Sequence, residues 1–124
     1  MPSIVGFVVI LVGAGVLEVF GDAFIRWRLA GSSRFWALLG PGLLVAYGFF
    51  VNLPSSETVA HRIGMAAPVR FGDLLGVYVA VFFFVSQVAG WCCLNESGPQ
   101  GWCQWAGAAL IVFGGALFQI GSSN

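Results

Sequence analysis

Two carboxylates stand one helical turn apart in Gly15-Val16-Leu17-Glu18-Val19-Phe20-Gly21-Asp22-Ala23-Phe24-Ile25-Arg26, with an arginine one turn further on. Positions 18, 22 and 26 share a helix face by their i, i+4 spacing. The stretch closes a long apolar run, and an ionisable group within lipid is costly enough to mark a functional site by default. Burial disfavours the charged form of a carboxylate. Glu18 would therefore hold a proton or a cationic ligand, but not easily both. That exclusivity is the minimum chemistry of antiport. Asp22 would add like-charge repulsion or help attract cations; in the structural alternative it pairs with Arg26 while a protonated Glu18 makes an interhelical hydrogen bond. Ala14, Gly15 and Gly21 border the acids and leave room beside them.

A second group of polar residues opens a later apolar run. In Arg70-Phe71-Gly72-Asp73 the two charges are i, i+3 and read as an interfacial ion pair; the sharper reading sets both at the mouth of a cavity opposite Glu18. Tyr78, further in, would donate a hydrogen bond to a ligand or a carboxylate. Phe82-Phe83-Phe84, Trp91, Trp36, Tyr47 and Phe49-Phe50 supply aromatic area, which either attracts organic cations or packs and anchors at the membrane interface. Asn52, Ser86, Gln87, Gln104 and Gln119 are weaker polar candidates. Cys92, Cys93 and Cys103 read first as small buried thiols, then as a soft-metal thiolate cluster or a disulfide across a loop. The single histidine, His61, makes no metal site alone. With no phosphate loop, nucleophile triad or zinc signature, the sequence points away from an enzyme, and it calls for no metal or cofactor.

These residues must be positioned by a membrane protein. Of the 124 residues, 59% are hydrophobic and 8% charged, against about 25% charged in soluble domains. The formal net charge is zero and lysine is absent, so no nucleic-acid partner is expected. The amino-terminal run lacks a basic leader and contains Glu18, which reads as a retained helix rather than a cleaved signal. Four segments approach the ~20 apolar residues that a helical span needs: about 4–25, 35–53, 72–94 and 102–120. The fold class is an all-α integral membrane protein, one four-helix transmembrane domain over residues 1–124, both termini on one side. Ile4 to Leu17 covers about 21 Å of helix within a hydrocarbon core of about 30 Å, which sets Glu18 inside the core and off centre towards the first loop.

The loops are unequal. Residues 26–34 are short and basic, residues 95–101 carry the Gly98-Pro99 turn signal, and residues 54–71 form the long one. There Ser55 or Ser56 would cap a short helix through Ile63, ended or offset by Pro68. Positive charge near the spans sets orientation. The first and third loops hold three arginines and the second holds two, a bias weak enough for dual insertion and an antiparallel homodimer, or for one orientation fixed by other factors. The fourth span has no charge, and Gly107 with Gly114-Gly115 suits it to packing or dimer contact.

Four short helices and a lone deep glutamate in Leu17-Glu18-Val19-Phe20-Gly21 resemble the small multidrug resistance transporters, whose first helix carries an Ala-Glu-Val-Ile-Gly-like stretch. The chain is more similar still to their YnfA-like relatives, in the glutamate before a glycine, in Gly76-Val77-Tyr78-Val79 and in Trp105-Ala106-Gly107-Ala108. The resemblance implies a small multidrug resistance-like bundle in the bacterial inner membrane, an antiparallel homodimer of dual topology, and an essential glutamate at Glu18. Asp22 and Arg26, the longer second loop, and Arg70 with Asp73 depart from the family, and the deep tryptophan of its classical members has no clear match. An arginine at the cavity would suit a zwitterion or an anion. The expected function is a small secondary transporter that exchanges protons for a small cationic substrate through Glu18, with Asp22, Tyr78, Arg70 and Asp73 around the site. Its partners would be the lipid bilayer, substrate, protons and a second copy. The alternatives are an accessory membrane protein whose buried charges fix helix pairing, and a small ion channel.

Overall fold

The computed structural model describes residues 2–122, with side chains from 4 to 121. The described residues form five α-helices and no strand: α1 (Pro2–Leu29), α2 (Trp36–Val51), α3 (Glu57–Arg62), α4 (Phe71–Cys93) and α5 (Trp102–Ser122), with a 3₁₀ turn at Leu53–Ser55. Four segments are long and apolar enough to cross a membrane: Ile4–Leu29, Trp36–Ser55, Phe71–Cys93 and Trp102–Gly121. In lipid such runs become helices because a helix satisfies its own backbone hydrogen bonds. The chain divides into two compact units, Met1–Pro68 and Val69–Asn124.

In the first unit α1 and α2 form an antiparallel hairpin built on glycine. A Cβ added at Gly13 would meet the Phe50 ring at 2.8 Å, and one at Gly21 would meet Leu44 at 2.9 Å and the Gly40 carbonyl at 3.1 Å. Small residues at these crossings let the two backbones approach closely. Leu11 and Ala14 are fully buried on the inner side of α1, with Phe7, Val19 and Ala23 close to it in burial, while Val8, Val9, Val12 and Val16 line an exposed side. At the loop end, Phe24, Trp27 and Trp36 cluster with ring centroids 4.7–5.5 Å apart, the arrangement of an interfacial aromatic belt.

The first span is longer than the charge pattern suggests. Arg26 marks where lipid gives way to headgroups, but a charge does not end a helix. The ending comes at Gly31, which adopts φ +96°; its N–H donates to the Arg28 carbonyl and that of Ser32 to Trp27, both at 3.1 Å. This crossed pair of bonds is the Schellman stop, and its left-handed residue favours glycine. The short helix in the long loop stops in the same way. Ser56 stands at its amino end, though its side chain makes no capping bond. Gly64 (φ +81°) ends it, with Gly64 N–H donating to His61 and Met65 N–H to Ala60. The helix ends at Arg62 with Ile63 as its cap, next to the expected end at Ile63, and the stop is made by Gly64 rather than by Pro68.

The second unit is the α4–α5 hairpin, again antiparallel. Gly76 lies against the Phe118 ring, and a Cβ at Gly115 would stand 2.5 Å from the Ala80 Cβ. Beyond that seam α5 is exposed along nearly its whole length. The turn out of α4 uses Asn95 in the left-handed region, φ 56°, a conformation asparagine tolerates better than most residues. The chain then folds back, and Glu96 N–H donates to the Gly90 carbonyl at 2.9 Å.

Candidate functional site

The acids of the first helix lie on one stripe but in different surroundings. Glu18 is half-buried, whereas Asp22 and Arg26 are exposed. One turn before Glu18 the helix presents Ala14 and Gly15, both buried, and three residues after it comes buried Gly21. Gly21 is one of the points where α1 and α2 meet closely, against Leu44 and Gly40. The glycine that makes the hairpin close is therefore three residues from the carboxylate, and the hairpin fixes the rotation of α1 that sets where Glu18 points from.

The apolar segment Ile4–Leu29 holds 26 residues, about 39 Å of helix at 1.5 Å per residue, longer than a hydrocarbon core of about 30 Å. Its last turn carries Arg26 and Arg28, residues suited to the headgroups, so the excess length belongs at that end. Glu18, two helical turns before Arg26, falls within the apolar part of the helix, where charge is costly.

Arg70, Asp73 and Tyr78 belong to the second unit. Arg70 is the residue before the first turn of α4, with extended backbone (ψ 146°), and Asp73 lies in that turn. Their charged groups approach to 4.0 Å, the arginine side chain 88% exposed and the aspartate 29%. The i, i+3 spacing puts the two groups within reach on one face of the helix. A carboxylate in the first turn also meets the positive end of the helix dipole. Tyr78 is buried, at 4% exposure, with its ring 6.0 Å from that of Phe82. Glu18 and Asp22 are thus neighbours on α1, Arg70 and Asp73 are neighbours at the start of α4, and Tyr78 is deeper in α4.

The cysteines differ from the expected buried thiols. Cys92, Cys93 and Cys103 are free and exposed. They flank the α4–α5 loop, where no tight helix crossing covers them. Among the described residues no three side chains of metal-ligating type come together.

Two cavities in the second unit were not anticipated from sequence. One of about 350 Å³ is walled by apolar groups such as Phe84, Trp91 and Trp105. A second, of about 530 Å³, includes Gln87, Glu96 and Gln104. Gln87 and Gln104 are among the weaker polar candidates. Glu96 is the only charged residue after Asp73, and no spacing in the sequence signals its place beside the cavity.

Four apolar helices long enough to cross a membrane define an integral membrane protein. A UPF0060 membrane protein of Herpetosiphon aurantiacus is 31% identical over 111 residues, covering 89% of each chain. Another, from Rippkaea orientalis, is 28% identical over 111 residues, covering 89% of this chain and 88% of its own. The chain belongs to the UPF0060 family of membrane proteins, the YnfA family. No family model matches the chain, and no solved structure does.

Proposed function

We propose that this protein is a small secondary transporter of the bacterial inner membrane, in which Glu18 exchanges a proton for a small cationic substrate. The working unit is an antiparallel homodimer of four-helix protomers with a small multidrug resistance-like bundle, and a Glu18 from each lines a shared cavity. Asp22, one turn from Glu18 on the same helix, draws cations towards that cavity. The reaction is transport, with no bond made or broken, so the reading is not of an enzyme and involves no cofactor.

One observation carries this reading. A carboxylate sits inside a 26-residue apolar helix, two turns before its first arginine and half-buried beside small residues. A protein that needed only stable helices would gain by an apolar residue there, since an ionisable side chain within the hydrocarbon is costly, up to about 2.5–3.5 kcal/mol at the bilayer centre by insertion measurements. Such a group persists where its protonation is used.

The test is uptake of a small organic cation into proteoliposomes under an imposed proton gradient, for the wild type and Glu18→Gln. The expected result is gradient-driven uptake that the variant abolishes. If the wild type moves no cation of a broad panel, while Glu18→Gln only lowers stability, the acid fixes helix pairing and the transporter reading falls. Antiparallel assembly has its own check: a carboxy-terminal tag should be found on both faces of the membrane, and a single face would remove the dual-topology dimer.

A further inference from the structure

The two cavities of the α4–α5 unit adjoin, sharing Phe83, Gln87, Pro99 and Ala108 as walls. Their volumes, about 350 and 530 Å³, lie in the range of small-molecule sites, about 300–1,000 Å³. The first is aromatic, through Phe83, Phe84, Trp91, Trp105 and Phe113. The second is polar at its loop side, through Gln100, Gln104 and Glu96.

Glu96 is set there by the fold. Asn95 in the left-handed region turns the chain back, the Glu96 N–H donates to Gly90, and the carboxylate occupies the space of a missing side chain, its Oε2 3.0 Å from where a Gly90 Cβ would be. Gln104 Oε1 accepts the Gln100 N–H, which leaves the amide hydrogens of Gln104 to donate to another acceptor. From Phe71 to the carboxy terminus there is no basic residue, and Asp73 and Glu96 are the only charges. The cleft therefore matches an amphiphile with an apolar tail, oxygen acceptors in the middle and a cationic head, and it opposes an anionic head.

We propose that the α4–α5 cleft binds an aminophospholipid of the surrounding bilayer. One acyl chain lies in the aromatic cavity, the ammonium meets Glu96, and the phosphate or ester oxygens take hydrogen bonds from the glutamine amides. The bilayer is the source because the apolar walls belong to two membrane-length helices. Trp91, Trp102 and Trp105 also gather near this hairpin's loop, as aromatic residues do at the lipid–water interface. This site is independent of the role proposed for Glu18.

The test counts bound molecules by native mass spectrometry on the full chain in mild detergent, titrated with lyso-phosphatidylethanolamine, lyso-phosphatidylglycerol or dodecyltrimethylammonium. The ethanolamine lipid should bind at one per protomer, at least tenfold more tightly than the glycerol lipid. Glu96→Gln should erase that preference. Gly90→Ala, which displaces the carboxylate but keeps its charge, should weaken it several-fold, and Ala109→Phe, which fills the aromatic cavity, should block both lipids. Helix content by circular dichroism confirms that each variant folds. Equal binding of the two lipids, or a preference untouched by Glu96→Gln and Ala109→Phe, overturns the proposal. So does dodecyltrimethylammonium outcompeting the lipid, which would make this a site for a free cation. A change of oligomeric state in Ala109→Phe without loss of lipid would instead assign the groove to a second copy.

Discussion

Replacing Gly40 by alanine tests whether the α1–α2 hairpin is as tight as it must be to orient α1. The new Cβ would stand 2.7 Å from Ile25 Cγ1, 3.0 Å from the Gly21 carbonyl oxygen and 3.1 Å from the Ile25 nitrogen. The isoleucine methylene can rotate away, but the other two atoms are backbone. The helices must separate by a few tenths of an ångström, at the crossing three residues from Glu18. Overpacking of this kind costs about 1–3 kcal/mol, or about 5- to 150-fold in the folding equilibrium. Gly42 supplies the control, because nothing lies within 4 Å of its Cβ position, and alanine there gains up to about 1 kcal/mol of helix propensity. Two glycine-to-alanine changes two residues apart should therefore move stability in opposite directions. The measurement is unfolding in mixed micelles titrated with sodium dodecyl sulfate, followed by tryptophan fluorescence. Equal midpoints for Gly40→Ala and Gly42→Ala would refute the close approach of α1 and α2.

The same logic applies to adjacent positions on α5. Gly115→Ala brings two Cβ atoms to 2.5 Å, at Ala80, whereas a Cβ at Gly114 meets nothing within 4 Å; the first should destabilise by about 1–3 kcal/mol and the second should stay near wild type in the same titration. All three cysteines are exposed and unpaired with one another. A maleimide probe added without reductant to the detergent-solubilised protein should attach three times per chain, and a mass shift of only one label would contradict free thiols.

The membrane class and the four long helices were legible because composition and run length decide them. Lipid leaves few alternatives to a helix, and no tertiary contact is needed to reach that conclusion. The ends of those helices were less legible. Arg26 was read as a boundary because charge marks the edge of the hydrocarbon. The helix instead continues to Leu29 and stops on the hydrogen bonds around Gly31. That signal was in the sequence, as a glycine just past two arginines, but it concerns the backbone rather than solvation. The short helix of the long loop ends where its sequence suggests, at Ile63, but on Gly64 rather than on Pro68.

Glu18 stands out in the sequence because its type is so unlike its neighbours, and the ion pair of Arg70 with Asp73 is legible because its spacing is local. The exposure of the cysteines and the cleft around Glu96 were not legible. Both depend on how α4 and α5 cross and on the backward turn at Asn95, and no periodicity in either helix encodes those.

The most direct test of the central claim is the lumenal pH of proteoliposomes loaded with a trapped pH-sensitive dye, recorded while gradients of a panel of small organic cations are imposed. Exchange through Glu18 predicts a pH change for at least one cation in the wild type, a reduced rate for Glu18→Asp, and none for Glu18→Gln reconstituted to the same density with unchanged helix content. A pH change of the same size and rate in Glu18→Gln would contradict the account, as would the absence of any cation-dependent proton movement in the wild type.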